Sequence, residues 1–453
     1  MAGLTLIEGG HVVTVDADGT EFPKGYVAIR DNRIVEVGAG AASSQLRDAA
    51  AQRYDARGAL VTPGLINTHH HLYQWLTRGW AQDSILFDWL VALYPTWARV
   101  NAGTVGAGAA GAMATLARSG CTTVGDHHYI FPRGSGDILG AIAYEASEIG
   151  VRAHLTRGSM DLGASQGGLP PDFAVETTEE ALRASEDAVL HLHDRAPDSM
   201  LQIAIAPCSP FSVTTDLLRE SAQLARQLDV RLHTHGSETV EEEAFCRERF
   251  GMGPTDYLES VGWLGPDVWM AHCVHLDDAD IAKFAATGTG VAHCPSSNAR
   301  LAAGIAPVRS MLDAGVAVGL GVDGAASNED GTLGSEIRQA ALVSRLRDGA
   351  TAMPGRDALR VATMGGARVL GREKELGSLE PGKLADIVVW DLGSVEHAGI
   401  ADPVAALTLG SLPTVRTMLV QGREVVTDGR LARTDEESIA SRVREAVADL
   451  TNV

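Results

Sequence analysis

Two histidines separated by one residue end an apolar segment near the start of the chain. The segment 61–71 reads VTPGLINTHHH and closes on His69, His70 and His71. Because successive side chains of a strand point to opposite faces, His69 and His71 share one face and His70 points the other way. Two imidazoles on one face can bind a divalent metal ion with bonds of about 2.0–2.1 Å. Taken alone, the pattern fits a metal-binding pair and a chance run of histidines equally well.

Four more side chains that could do chemistry follow apolar segments later in the chain. His235 ends the run VRLHTH, and Glu238 comes three residues after it. His272 ends the run WMAH, and Asp323 ends the run VGLGVD. A lone buried aspartate carries a large desolvation cost unless it is paired or bound to a metal ion. These residues are therefore candidates to complete a site with the first two histidines.

Three histidines and one aspartate form a ligand set that is typical of hydrolytic zinc sites, with one position left for water. We assign the metal ligands as His69, His71, His235 and Asp323. One Zn²⁺ per chain is expected, although Fe²⁺ or Mn²⁺ would fit similar ligands. Water on such a metal can have a pKa of about 7, and His272 and Asp323 can orient it and take its proton. Glu238 could carry a proton to a substrate ring nitrogen, although an acid at a helix N-terminus is also a common surface feature.

The remaining histidines are assigned by their position along the strands. We expect His70 and His233 to face the barrel wall rather than the metal. His127 is given a structural role, and His128 is left open between a structural and a substrate-contacting role. Ordinary polar positions are expected for His154, His191, His193 and His397.

The middle of the chain alternates strand-like and helix-like segments, which would position these side chains. The strand-like segments are 60–68, 121–126, 151–157, 200–206, 230–234, 268–271, 290–293 and 316–322. Eight βα units are the number in a TIM barrel, whose catalytic groups lie at the C-terminal ends of the strands. The alternative, an open doubly wound sheet, lacks support because no GxGxxG loop follows the first strand. The predicted class is α/β with a (β/α)8 barrel.

Strand-like segments without intervening helices occur at both ends of the chain, so we expect a small β-sandwich domain built from both. The predicted domains are the β-sandwich, residues 1–62 plus 366–430, and the metal-dependent barrel, residues 63–365. Residues 431–453 are predicted to form an amphipathic C-terminal helix that packs on the outside.

The composition limits the partners of the protein. The 453 residues are 45% hydrophobic and 21% charged, with a formal net charge of −21. This acidity argues against binding to nucleic acid or to an anionic membrane surface. Five cysteines without a CxxC pair predict reduced thiols, and we see neither a signal peptide nor an apolar run of about 20 residues. We therefore expect a cytoplasmic protein with a small-molecule substrate.

Several motifs together resemble the amidohydrolase superfamily, in particular its mononuclear aminohydrolase branch. They are PGLINTHHH at 63–71, His235-x-x-Glu238, Ala271-His272, HCPSSN at 293–298, GVDG at 321–324 and GSLEPGKLAD at 377–386. The resemblance covers nearly the whole chain. Because no position for a carbamylated lysine is evident, deaminases are favoured over urease-like or dihydroorotase-like members.

Within that branch the chain is most similar to the 8-oxoguanine deaminases. The similar segments are 67–74, 126–129, 155–163, 167–171 and 206–213. Triazine hydrolases, hydroxyatrazine aminohydrolases and isoxanthopterin deaminases are similar over the metal motifs but fit less well at 208–213 and 296–301. A small departure is Gly236-Ser237, where relatives often have larger apolar residues, and this could widen the pocket.

The resemblance implies a hydrolytic deamination that converts 8-oxoguanine to urate and ammonia. Hydroxide would attack C2 while Glu238 protonates the adjacent ring nitrogen, and His272 would stabilise the tetrahedral intermediate. The implied substrate contacts are Gln74, Trp89, Tyr129, Arg157, Cys208 and Asn298. Arg157 could donate a forked pair of hydrogen bonds to a ring carbonyl or form a salt bridge at the barrel rim. Trp89 could stack on the ring or only close the pocket, and a homo-oligomer is expected.

Two alternatives remain at this stage. The first keeps the enzyme class and changes the substrate to guanine, isoxanthopterin or another pterin, or a substituted s-triazine, because a few polar contacts decide specificity. The second is a non-catalytic barrel that binds a purine. Glu238 and His272 argue against the second alternative, because a sensor needs no proton transfer.

Overall fold

A closed barrel of eight parallel strands forms the centre of the computed structural model, which describes residues 3–451. The strands, in chain order, are Leu65–Asn67, Cys121–His128, Arg152–Ser159, Leu201–Pro207, Leu232–Gly236, Val268–His272, Gly290–His293 and Val318–Leu320. The last strand pairs with the first, since Leu320 lies opposite Asn67. The predicted (β/α)8 barrel is confirmed, and all the candidate metal ligands lie at the C-terminal ends of its strands.

Helices follow the barrel strands and surround them. The α-helices are Ser44–Ala49, Leu86–Trp97, Ala102–Arg118, Ile138–Ile149, Thr178–Leu192, Thr215–Gln227, Val240–Phe250, Pro254–Ser260, Asp278–Thr287, Pro295–Arg300, Val308–Asp313, Leu333–Asp348, Gly355–Arg360, Gly366–Val369, Pro403–Leu409 and Glu436–Thr451. Short 3-10 helices lie at Leu72–Thr77, Ala164–Gln166 and Asp172–Ala174, and a π-helical turn lies at Val361–Gly365. Among residues 3–451, none of these helices combines the length and the apolar character needed to cross a bilayer.

A second, nine-stranded sheet is assembled from the two ends of the chain. Its strands are Leu4–Val13, Glu21–Arg30, Arg33–Ala39, Ala50–Asp55, Ala59–Pro63, Ile387–Asp391, Thr414–Val420, Arg423–Thr427 and Arg430–Leu431. Both faces of this sheet bury apolar side chains, with Val27 and Ile29 in one cluster and Leu6 and Ala28 in another. The predicted origin of this sheet in both chain ends is confirmed, whereas the exact domain limits stay a prediction.

The chain passes from this sheet into the barrel at Gly64. We predicted one strand over 60–68, and this was wrong, because Ala59–Pro63 pairs in the nine-stranded sheet and Leu65–Asn67 pairs in the barrel. The amide of Gly64 donates to the carbonyl of Asp386 at 2.9 Å. A Cβ atom at residue 64 would lie 2.1 Å from Oγ1 of Thr122, so only glycine fits this crossing. The continuous apolar sequence hid the break, since both sheets need apolar residues.

The C-terminal helix Glu436–Thr451 packs on Ala102–Arg118, outside the barrel. Its buried side chains are Ile439, Ala446 and Leu450, which fall on one face of the helix. The guanidinium of Arg442 forms an ion pair with the buried carboxylate of Glu145. The five cysteines are all buried and free, in agreement with the reduced thiols predicted above.

Candidate active site

The four predicted metal ligands converge at the mouth of the barrel. Asp323 Oδ1 lies 3.2 Å from Nε2 of His69 and 3.2 Å from Nε2 of His71. The Nε2 atoms of His71 and His235 are 3.1 Å apart. All four side chains are buried. The end of the first barrel strand therefore meets the ends of the fifth and eighth strands, as the sequence analysis predicted.

This donor set fits a divalent metal ion. Ligand atoms held about 2.1 Å from an ion at tetrahedral angles lie about 3.4 Å from one another, close to the separations seen here. Nε2 of His69 is buried and has no hydrogen-bond partner among residues 3–451. Burial lowers the pKa of His69 and His235 well below the usual histidine value, so both imidazoles are neutral and can bind a metal. Burial alone would raise the pKa of Asp323, but the imidazoles of His69 and His71, each 3.2 Å from its carboxylate, hold that pKa well below its usual value.

Each predicted histidine ligand has a fixed acceptor for its second ring nitrogen. Nδ1 of His71 donates to the carbonyl of His127 at 2.6 Å, and Nδ1 of His235 donates to the carbonyl of Cys208 at 2.7 Å. A carbonyl only accepts, so these contacts place the proton on Nδ1 and leave Nε2 free for a metal. The carboxylate of Asp323 accepts hydrogen bonds from two serine hydroxyls, Ser297 at 2.5 Å and Ser327 at 3.2 Å.

His233 orients His69, the third predicted histidine ligand, and its predicted position at the barrel wall was wrong. Its Nε2 lies 2.7 Å from Nδ1 of His69, and its Nδ1 donates to the carbonyl of Trp269 at 3.0 Å. That second bond makes Nε2 an acceptor, so His69 donates to it. The error has a simple cause: residues 233 and 235 are two apart on one strand, so alternation places both on the same face.

The other histidines near the site have packing contacts. The ring of His127 stacks on His235 with centroids 4.8 Å apart, and its Nε2 donates to the carbonyl of Ala206 at 2.9 Å. His128 donates through Nε2 to the carbonyl of Ile130 at 2.7 Å. His70 is buried, and within residues 3–451 neither of its ring nitrogens has a hydrogen-bond partner.

Glu238 and His272 face each other beside the ligand set. Nε2 of His272 lies 3.7 Å from Oε1 of Glu238 and 3.9 Å from Oδ2 of Asp323. Nδ1 of His272 donates to Oδ1 of Asn298 at 2.9 Å, which leaves Nε2 as the acceptor that faces the site. Burial, together with the charge of Asp323, raises the pKa of Glu238 well above its usual value. Burial thus favours the protonated form of the Glu238 carboxyl, which can donate a proton.

Sequence reasoning missed Glu242, which holds the turn that carries Glu238. Its carboxylate accepts from the backbone amides of Ser237 at 3.0 Å and Glu238 at 2.8 Å. It is fully buried in the first turn of the helix Val240–Phe250. The second acidic residue four positions after Glu238 was a possible signal, since carboxylates favour helix N-termini.

Three residues of the site hold left-handed backbone conformations. The φ angles of Ser237, His272 and Asp323 are 51°, 72° and 63°. Such conformations are uncommon outside glycine and cluster at functional sites, where surrounding contacts maintain them. The amide of Asp323, for example, donates to the carbonyl of His69 at 3.1 Å.

A cavity opens onto these groups. Glu238 and His272 line it. Four of the predicted substrate contacts line it as well: Gln74, Trp89, Tyr129 and Cys208. Apolar residues that the sequence analysis did not single out line it as well: Leu86, Leu90, Tyr94, Phe211 and Leu301. This combination of an apolar wall and a few convergent polar groups is typical of a small-molecule site.

The other two predicted contacts lie behind this wall. Asn298 contacts the site through its bond to His272. The guanidinium of Arg157 forms two hydrogen bonds with the carboxylate of Glu176, at 2.9 and 2.6 Å, and lies over the ring of Phe131. This is the salt bridge that the sequence analysis left open as the alternative for Arg157.

Comparison with known proteins agrees with this geometry. The chain is 45% identical to the 8-oxoguanine deaminase of Pseudomonas aeruginosa over 96% of each chain. It is 36% identical to an isoxanthopterin deaminase from an unknown prokaryotic organism, over 98% of this chain and 97% of the relative. The crystal structure of an atrazine chlorohydrolase from Arthrobacter aurescens, complexed with zinc, superposes with a TM-score of 0.92 at 32% identity, covering 98% of this chain and all of that one. The pattern of the Amidohydrolase family matches residues 60–429. The chain therefore belongs to the amidohydrolase family.

Proposed function

We propose that this protein is a zinc-dependent deaminase that hydrolyses 8-oxoguanine to urate and ammonia. One observation carries the proposal: His71, His235 and Asp323 of the predicted ligand set line one cavity together with Glu238 and His272. The similarity to an 8-oxoguanine deaminase over nearly the full length of both chains supports the choice of substrate. In the overall reaction one water adds at C2 and one ammonia leaves, so atoms and charge balance.

The proposed ligands of one zinc ion are His69, His71, His235 and Asp323. The three buried imidazoles and the carboxylate of Asp323 support this choice, since zinc prefers such a mixture of nitrogen and oxygen ligands. A bound zinc ion supplies Lewis acidity, which makes water a nucleophile near neutral pH. Fe²⁺ or Mn²⁺ would suit the same ligands and remain alternatives.

Glu238 and His272 would move the protons. The protonated carboxyl of Glu238 donates to the ring nitrogen beside C2, which makes that carbon more electrophilic. Nε2 of His272, together with Asp323, takes a proton from the attacking water. His272 then donates a proton to the amino group on C2, and the C2–N bond breaks to release ammonia. The hydroxyl on C2 returns a proton to Glu238 as it becomes the carbonyl of the product. Asn298 keeps His272 in the tautomer that this exchange requires.

Substrate recognition would rest on the polar atoms that reach the cavity. Gln74, Tyr129 and Cys208 offer donors and acceptors to the ring edges, and Trp89 covers the ring from the helix Leu86–Trp97. The indole Nε1 of Trp89 has no partner among residues 3–451, so it is free to donate. Arg157 would act indirectly, through its ion pair with Glu176.

A panel of heterocycles tests the proposal. Zinc-loaded protein is given 8-oxoguanine, guanine, isoxanthopterin and a substituted s-triazine, and ammonia release is followed with the loss of absorbance of each substrate. We expect the highest kcat/KM for 8-oxoguanine. Faster turnover of the pterin or the triazine would refute the substrate assignment while leaving the deaminase or hydrolase site in place. A protein that binds purines but releases no ammonia would refute the enzymatic proposal itself.

The assembly and the location are also proposals. A homo-oligomer is expected because barrels of this class can pair through their outer helices, and light scattering after size-exclusion chromatography tests it. The five buried thiols support a reducing compartment such as the cytoplasm.

A further inference from the structure

The side-chain amide of Gln74 is a buried polar group that faces the cavity without a partner. Gln74 lies in the 3-10 helix Leu72–Thr77, directly after the metal-binding histidines, and is 1% exposed. Within residues 3–451 neither its Oε1 nor its Nε2 has a hydrogen-bond partner. Because buried polar atoms are almost always paired in native proteins, a bound molecule is the expected partner of this amide.

Gly324 provides the space that this amide occupies. A Cβ atom at residue 324 would lie 1.6 Å from Oε1 and 2.3 Å from Cδ of Gln74. The backbone of Gly324 is outside the left-handed region, so its conformation alone does not require glycine. The residue before it, Asp323, is one of the proposed metal ligands. The missing side chain at 324 therefore matters for Gln74 rather than for the local turn.

We propose that Gly324 is a positioning residue that selects which heterocycles the enzyme accepts. By leaving room for the Gln74 amide, it allows Nε2 to donate to a ring carbonyl while Oε1 accepts from the neighbouring ring N–H. This pair of hydrogen bonds matches a lactam edge, which is a ring carbonyl beside a ring N–H. The inference rests on the proposed function, because 8-oxoguanine carries such an edge at N1 and C6, next to the carbon that loses its amino group.

Gly321 lies on the same segment, and its substitution by alanine serves as the comparison for Gly324→Ala. A Cβ atom there would lie 2.8 Å from Cβ of His69 and 2.9 Å from Sγ of Cys294. These groups cannot move without shifting a proposed metal ligand, so Gly321→Ala is expected to lower the zinc content. At residue 324 the clash falls on the end of a flexible side chain. Gly324→Ala is therefore expected to fold and to keep its zinc, with the Gln74 amide displaced from the cavity.

A double-mutant cycle tests the inference. Wild type, Gln74→Ala, Gly324→Ala and the double variant are compared by zinc content, kcat and KM. The two substrates are 8-oxoguanine and 2-amino-8-oxopurine, which lacks the lactam edge at N1 and C6 but keeps the 8-oxo group. We expect each single variant to lose about 10- to 100-fold in kcat/KM for 8-oxoguanine, as for two lost hydrogen bonds, and much less for the analogue. In the Gln74→Ala background, Gly324→Ala should cost no more than about twofold, because the group it displaces is gone.

Each outcome separates the possible failures. A Gly324→Ala loss that persists undiminished in the Gln74→Ala background would mean that the effect runs through Asp323, and it would overturn the inference. Unchanged kcat/KM in Gly324→Ala beside a clear loss in Gln74→Ala would overturn it as well. If Gln74→Ala has no effect, the proposed substrate contact fails instead. If wild type does not deaminate 8-oxoguanine, the proposed function fails. A crystal structure of Gly324→Ala then decides the spatial inference alone: a displaced amide supports it, and an unmoved amide refutes it.

Discussion

Replacing His233 by leucine should weaken zinc binding, although it removes none of the proposed metal ligands. In the wild type His233 accepts the Nδ1 proton of His69 at 2.7 Å and donates to the carbonyl of Trp269. Burial lowers the pKa of His233 from 6.5 to about 3, so its ring stays neutral and can accept at any working pH. Leucine cannot accept, and the N–H of His69 would then be buried without a partner.

The size of the effect follows from that lost partner. Leaving a buried donor unpaired costs about 1–3 kcal/mol, and each 1.4 kcal/mol is about a tenfold change in an equilibrium constant. We therefore expect zinc affinity to fall about 10- to 100-fold, in the range usual for partners that orient metal-binding histidines. The assay is a competition titration of the zinc-loaded protein against a chelator of known affinity.

His154→Leu is the matched control for this experiment. His154 is also buried and its ring also packs against Trp269, with centroids 5.5 Å apart, but it makes no contact with His69. A loss confined to His233→Leu supports the orienting role. Equal affinities in wild type and His233→Leu, or equal losses in both variants, would refute the reasoning.

Three further predictions concern catalysis, pH and the junction between the two sheets. Glu238→Gln should keep its zinc but lose at least about 100-fold in kcat, because the amide cannot donate an acidic proton; near-normal kcat with normal zinc would remove Glu238 from the mechanism. Burial raises the pKa of Glu336 from 4.5 to about 7. The protonated carboxyl of Glu336 therefore contributes stability that is fully present below pH 4.5 and is lost as the pH rises to about 7. Glu336→Gln should therefore reduce the difference between the free energies of unfolding at pH 5 and pH 8 by up to about 3 kcal/mol. Urea titrations at the two pH values measure this difference, and an unchanged value would contradict the prediction. Arg152→Ala should lower the free energy of unfolding by about 3–5 kcal/mol, because it leaves the buried carboxylate of Asp386 without the guanidinium that lies 3.2 Å away in the wild type. A loss below about 1 kcal/mol would show that this ion pair contributes little.

The barrel and much of its metal site could be predicted because they depend on local periodicity. Apolar runs that end in His69, His71, His235 or Asp323 mark strand ends, and eight such strand-like segments indicate a barrel. The alternation of a strand places His69 and His71 on one face whatever the rest of the chain does. The same rule, applied correctly, would also have placed His233 inside the barrel.

Other features could not be read from neighbouring residues. The break at Gly64 depends on Thr122 and Asp386, which approach it from two different parts of the chain. Glu242 acts on Glu238 through backbone amides, and a backbone amide carries no mark in the sequence. Whether Arg157 pairs with Glu176 or with a substrate was open until the loops were placed.

By itself, the sequence determined the types of side chain at the strand ends, their order, and hence a metal-dependent hydrolytic site on a parallel barrel. These follow from covalent spacing, which any folded state must respect. Only the tertiary structure decided which atoms meet: Nε2 of three histidines around Asp323, His233 behind His69, and the Gln74 amide in the space left by Gly324. Closure of the barrel brings together residues that are far apart in the chain, and contact distances of a few ångströms then decide which groups bind, which donate and which exclude one another.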